Sequence, residues 1–270
     1  MKKSIYLLGM AVAALSSCSQ SDVVEMPESR AIGFNTFVNN NTRAVNEVAK
    51  GDLTGTFYVF ANYGSGDFAN KAFDNEPSTA LHYWEASMNY RFGAYQNGTE
   101  KINGATFTPA ESASVLTFPN YTPNDQNDLI AAFGTATTGT NVTGQAKVGL
   151  TFSHLLSQVK FTFTTDATAA YNLTISDVKI TNAISKSTCT YTAGTPNIVW
   201  ESTTGVEKNG YAYEDFNEGK AISIENSASQ SKLVIPQSGT NLIKVTFKAK
   251  VDGAGITTEV KDFEGFLVYP

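Results

Sequence analysis

The cleanest pattern in the chain runs from Ile243 to Val251. Ile243, Val245, Phe247, Ala249 and Val251 alternate with Lys244, Thr246, Lys248 and Lys250. Successive side chains leave a pleated backbone on opposite sides, so this alternation marks a strand with one covered face. A helix would scatter the same lysines around its cylinder. The same reading predicts strands at 57–60, 113–118, 128–133, 147–152, 159–164, 173–180, 198–200, 221–225, 232–235 and 258–269, and another at Ile32–Val38. Ser187-Thr-Cys-Thr-Tyr-Thr192 alternates as well, which makes Cys189 a small apolar strand residue. Turn-forming runs separate these segments, among them Gly64-Ser-Gly66, Gln96-Asn-Gly98, Ala193-Gly-Thr-Pro196 and Asp252-Gly-Ala-Gly255.

Helical signals are few. A single turn is expected at Ser153–Leu156 and one short helix inside the irregular stretch 67–90. No repeat of solenoid length occurs. Many short strands without interleaved helices predict an all-β chain of mostly antiparallel sheets packed face to face. The length exceeds one sandwich, so two tandem β-sandwich domains are expected, 32–165 and 166–270, divided at the polar stretch Thr164–Ala170.

The first residues carry a different signal. Lys2 and Lys3 precede eleven uncharged residues, Ile5–Leu15. About 20 apolar residues are needed to span a bilayer as a helix, so this run is a signal-peptide core. Leu15-Ser-Ser-Cys18 follows and resembles a bacterial lipobox. Residues 1–17 are then the lipoprotein signal peptide, Cys18 is the lipid anchor, and the polar residues 18–31 are a tether. Ser19 after the cysteine points to the outer membrane by resemblance to enterobacterial sorting.

Only 16% of residues are charged, against about 25% in a typical soluble domain, and the net charge is −6. That leaves no basic footprint for nucleic acid. Candidate chemistry is sparse. The two histidines, His82 and His154, have no ligands at metal spacing, so no metal and no cofactor are expected. Asp125 and Asp128 make half of a calcium loop without its glycine or terminal glutamate. Scattered acids give no glycosidase pair that sequence can measure. No nucleophile and base stand together, so no enzyme is expected. Aromatic residues cluster around Trp84 and Trp200; either they pack the sandwich cores or their flat faces contact a sugar.

Several segments together resemble the fimbrillin family of the Bacteroidales, the type V pilins and their Mfa-like relatives. They are the lipobox cysteine, Ile32-Gly-Phe34, Thr42-Arg-Ala44, Tyr90-Arg-Phe-Gly-Ala-Tyr95, Asp128-Leu-Ile-Ala-Ala132, Val148–Phe161 (VGLTFSHLLSQVKF) and Leu233-Val-Ile-Pro-Gln237. Family members run on into a Trp-containing, Tyr-rich terminal hairpin, where this sequence reads Phe263–Pro270 (FEGFLVYP).

The resemblance implies transthyretin-like sandwiches, a location at the cell surface in a fimbrium, and partners that are other fimbrial subunits joined by strand exchange. A host or bacterial surface receptor is a further expected partner if the chain is a fimbria-associated adhesin rather than a structural subunit. It also implies cleavage by an arginine-specific protease between Arg43 and Ala44. The cut would remove the anchor with the strand 32–38 and open a groove for a strand of another subunit. The alternative is a surface lipoprotein that does not polymerise and binds glycans through Trp84 and Trp200.

Overall fold

The computed structural model describes residues 30–39, 53–124, 127–165, 171–194, 197–201, 208–222, 227–237, 242–253 and 259–267. The signal peptide, Cys18, the tether through Ser29, and Arg43 with Ala44 lie outside them.

In chain order the first strands are β1 (Phe34–Val38), β2 (Tyr58–Gly64), β3 (Asn70–Pro77), β4 (Asn89–Asn97), β5 (Thr106–Thr108), β6 (Val115–Tyr121), β7 (Leu129–Thr137), β8 (Val148–His154), β9 (Ser157–Val159) and β10 (Thr162–Phe163). There follow β11 (Tyr171–Ile184), β12 (Ser187–Thr192), β13 (Asn197–Trp200), β14 (Lys208–Ala212), β15 (Lys220–Ile222), β16 (Ser227–Ala228), β17 (Lys232–Val234), β18 (Lys244–Gly253) and β19 (Lys261–Phe266), with a 3-10 turn at Glu214–Phe216. The chain is all-β, as its alternation predicts. No α-helix occurs among the described residues. The single turn expected at 153–156 is instead the end of β8, and β3 occupies part of the stretch expected to hold a short helix.

The largest sheet has six strands in the order β1-β8-β7-β4-β2-β3. A four-stranded sheet, β13-β12-β6-β5, packs against it as a sandwich. Phe60, Tyr95 and Leu129 from the larger sheet meet Leu116, Phe118 and Cys189 from the smaller in one buried cluster. Gly93 in β4 is required at this contact. A Cβ there would lie 2.6 Å from a ring carbon of Phe107, so only glycine lets the sheets approach this closely. The other face of the six-stranded sheet carries a second core, with Val59, Phe73, Phe92 and Phe152 covered by Phe57 and Trp84.

A third sheet, β14-β11-β18-β19 with β15 also on β11, encloses a third core around Ile180, Tyr213 and Phe216. The boundary drawn at 165/166 is crossed by the pairing itself. β12 and β13 leave the second half of the chain and join β6, and β17 pairs with β9. Ile184, Tyr191, Leu233 and Ile235 accordingly pack into the sandwich core of the first half.

Candidate functional site

The segment 30–39 enters the fold in two steps. Its first residues run antiparallel to 82–84: Ala31 bridges Tyr83, the Ile32 amide donates to the His82 carbonyl at 2.8 Å, and the Trp84 amide donates to the Arg30 carbonyl at 3.0 Å. The Arg30 guanidinium also reaches the Trp84 carbonyl at 3.4 Å. The segment then swings onto the edge of the six-stranded sheet, where β1 lies parallel to β8 with Phe34 opposite Val148 and Val38 opposite Phe152. The other named pairings of this sheet are antiparallel. A donation from the Asn39 amide to the Phe152 carbonyl, 2.9 Å, fixes the far end.

Alternation decides what β1 buries. Ile32 and Val38 are buried, Val38 completely, while Asn35 and Phe37 face outward. Phe34 stands edge-on to Phe57, Phe73 and Phe92, with ring centroids 5.6, 5.7 and 6.0 Å away. Edge-to-face contacts of this kind add to what area burial alone supplies. Together these side chains fill a slot whose walls come from β2, β3, β4 and β8. The 82–84 segment holds the slot's mouth. There His82 Nε2 lies 2.8 Å from Glu76 Oε2, and its ring packs on Phe73 at 4.2 Å.

The two ends of the sheet differ. At the far edge, β3 carries Lys71, Asp74 and Glu76, ends in Pro77, and pairs with β2 through two register shifts. Asn75 there has φ of 57°. These are the devices by which edge strands avoid pairing with another chain. β1, with the sequence Phe-Asn-Thr-Phe-Val, has none of them.

The other candidate residues fall elsewhere. Arg43, Ala44 and Cys18 lie outside the described residues. Trp84 is fully buried, edge-on to Tyr90 at 4.8 Å and to Phe92 at 6.0 Å, so neither ring face is free for a sugar. Trp200 is half-buried, and its indole N–H donates to the Leu155 carbonyl at 3.0 Å. Both tryptophans act as packing residues in this arrangement. His154 and Asp128 are buried together, Nδ1 to Oδ2 2.6 Å, and clip the end of β8 to the residue before β7. Burial pushes the Cys189 thiol up to about 12, which removes thiolate reactivity at neutral pH. Among the described residues, no three His, Cys, Asp or Glu side chains are placed to share a metal ion.

The clasp formed by Arg30, His82 and Trp84 was not legible as a site. Its contacts are largely backbone hydrogen bonds, and any residue supplies those groups. No curated protein matched the chain. The family model described as fimbrillin-like matches residues 29–266. That span begins at the clasp and ends at the last residue of β19, so both the slot and the third sheet fall within it. The chain belongs to the fimbrillin-like family.

Proposed function

We propose that the protein is a structural subunit of a cell-surface fimbria whose first strand is removable. In this reading it is exported as a lipoprotein, anchored to the outer membrane through Cys18, and matured by cleavage between Arg43 and Ala44. The cut separates β1 and the anchor from the body. A strand from another subunit then takes the place of β1 along β8.

One observation carries the reading: β1 plugs a slot at the edge of the six-stranded sheet. It is short, lies at the sheet's end and pairs parallel to β8, and its Phe34 and Val38, with Ile32 just before it, pack into the core on that face of the sheet. Each buried apolar side chain of this size contributes about 1.5–3 kcal/mol. Leaving the slot empty would therefore cost a large share of a domain's stability. A cut strand stays seated until a comparable strand displaces it.

The distribution of arginines supports the same cut. The sequence holds Arg30, Arg43 and Arg91. Arg30 is tied into the clasp, and its neighbour Ala31 pairs with Tyr83. Arg91 sits inside β4, between β2 and β7. A protease needs several residues in extended form in its cleft, which neither site offers without unfolding. Arg43 stands in the polar run Asn39–Glu47.

Treating the full chain with an arginine-specific protease tests this. The expected product has a new N-terminus at Ala44 by mass spectrometry, and it assembles into rods visible by electron microscopy. Cleavage at Arg30 in preference to Arg43, or a cut product that stays monomeric after β1 is displaced, would overturn the reading.

A further inference from the structure

Arg91 has a second property that strand exchange does not use. It lies in a central strand, on the face that meets the four-stranded sheet, yet no carboxylate pairs with it among the described residues. Its Nε donates to the Ala110 carbonyl at 3.0 Å and its Nη1 to the Tyr90 carbonyl at 3.1 Å, while its Cζ lies over the Phe68 ring, 4.5 Å from the centroid. These contacts fix the guanidinium and leave Nη2 without a partner among the described residues. Nη2 is not among the buried polar atoms that lack a partner, so it stays open to a ligand.

The guanidinium lines a groove of about 430 Å³ between the end of the four-stranded sheet and the β7–β8 side of the larger one. That volume falls within the range of small-molecule sites. Glu111, Ser112 and Thr135 line the groove and are exposed, and Phe133 is half-buried in its wall. Gly149 also lines the groove and is exposed, with nothing within 4 Å of where its Cβ would stand.

We propose that this groove binds a saccharide bearing a carboxylate, of the uronic or sialic acid type. Nη2 of Arg91, without a partner among the described residues, offers a carboxylate a charge-assisted hydrogen bond. The hydroxyls of Ser112 and Thr135 both donate and accept, as sugar hydroxyls do, and the Glu111 carboxylate accepts further hydroxyl protons. Phe133 offers apolar surface to a sugar's C–H face. The single cation beside Glu111, on a chain of net charge −6, suits one acid group rather than a polyanion. The site is independent of whether β1 is exchanged.

Saturation-transfer NMR on the full chain tests it, using glucuronic acid, galacturonic acid and the methyl glycoside of N-acetylneuraminic acid. Glucose, galactose and acetate serve as comparisons. Transfer to at least one acidic sugar, exceeding that to the comparisons, is expected. Arg91→Gln should weaken that binding about tenfold or more, the share of a charge-assisted pair. Arg91 also ties Ala110 to β4, so Gly149→Phe provides the second variant; it fills the groove from an open position and should abolish transfer with the fold intact by circular dichroism. No transfer to any acidic sugar would overturn the proposal. Equal transfer to acetate or the neutral sugars, or undiminished binding in the folded Gly149→Phe protein, would do so as well.

Discussion

β1 and β19 are both edge strands, and each carries two phenylalanines three residues apart, Phe34 and Phe37 in one and Phe263 and Phe266 in the other. In β1 the inward ring meets three other rings, and its neighbours Ile32 and Val38 are buried. In β19 all six residues are exposed, and Phe263 stacks on Phe247 at 5.1 Å while remaining 44% exposed. The difference lies beneath the strand. β1 closes a slot with walls on several sides, whereas Phe263 of β19 lies against Phe247, which meets Phe163 and through it Phe216. Edge position alone therefore does not make a strand expendable. The depth of the slot sets how much stability departs with it, and hence how strongly an empty slot selects a replacement.

The largest expected effect tests that depth. Phe34→Ala removes the ring at the centre of the slot and should destabilise the protein by about 3 kcal/mol, as for large-to-small core changes. Urea unfolding at unchanged slope would measure it. A loss no larger than that of the matching change in β19 would break the comparison.

That matching change is Phe263→Ala. One stacked, half-solvated contact with Phe247 is lost, and such pairs contribute about 0.5–1.5 kcal/mol beyond their area. The expected loss is about 1 kcal/mol or less, read from the same urea midpoints. A loss near that of Phe34→Ala would mean that the third sheet depends on its edge strand as the first one does.

How much of this contrast the sequence carries depends on the strand. Ile32-Gly-Phe34 through Val38 alternates, so β1 is legible as a strand with an inward face. Its parallel pairing with β8 is not, because nothing local encodes a partner more than a hundred residues away. β18 is legible from its lysines, and each of Lys244, Lys248 and Lys250 forms an ion pair with a carboxylate at the surface. β3 is hidden because Asp74, Asn75 and Glu76 interrupt the apolar alternation where the strand bulges. The expected domain boundary rests on the polar run Thr164–Ala170, and composition cannot register that β12 and β13 return to the first sandwich. Trp84 and Trp200 are conspicuous as aromatics, but only the packing separates a buried ring from a ligand platform. The Arg91 groove is the least legible feature, since its residues come from β4, β7, β8 and two turns.

The smallest expected effect lies on the outer surface of the third sheet. Between Ser176 and Lys179 the register of β11 on β18 shifts, and Asp177 takes φ of 53° in that bulge. The bulge aims its carboxylate at Lys248, 2.7 Å from Oδ2 to Nζ. The hydrogen bond and the charge of Lys248 hold the Asp177 carboxyl below its ordinary value, and Asp177 in turn raises Lys248. The sign follows for each group. The lowered Asp177 contributes stability that is present above its unfolded value and lost as pH falls through its folded one; the raised Lys248 contributes stability that is present below its unfolded value and lost as pH rises through its folded one. At neutral pH both contributions are in place, yet the pair is exposed and water screens it. Asp177→Asn isolates the charge, because asparagine tolerates the same positive φ. Its urea midpoint at pH 7 should fall slightly at low ionic strength and match the parent in about 1 M salt, where the Debye length is about 3 Å. A deficit that persists in salt would show that the carboxylate holds the bulge in shape, and that the outer face of this sheet contributes to its stability as packing does beneath β1.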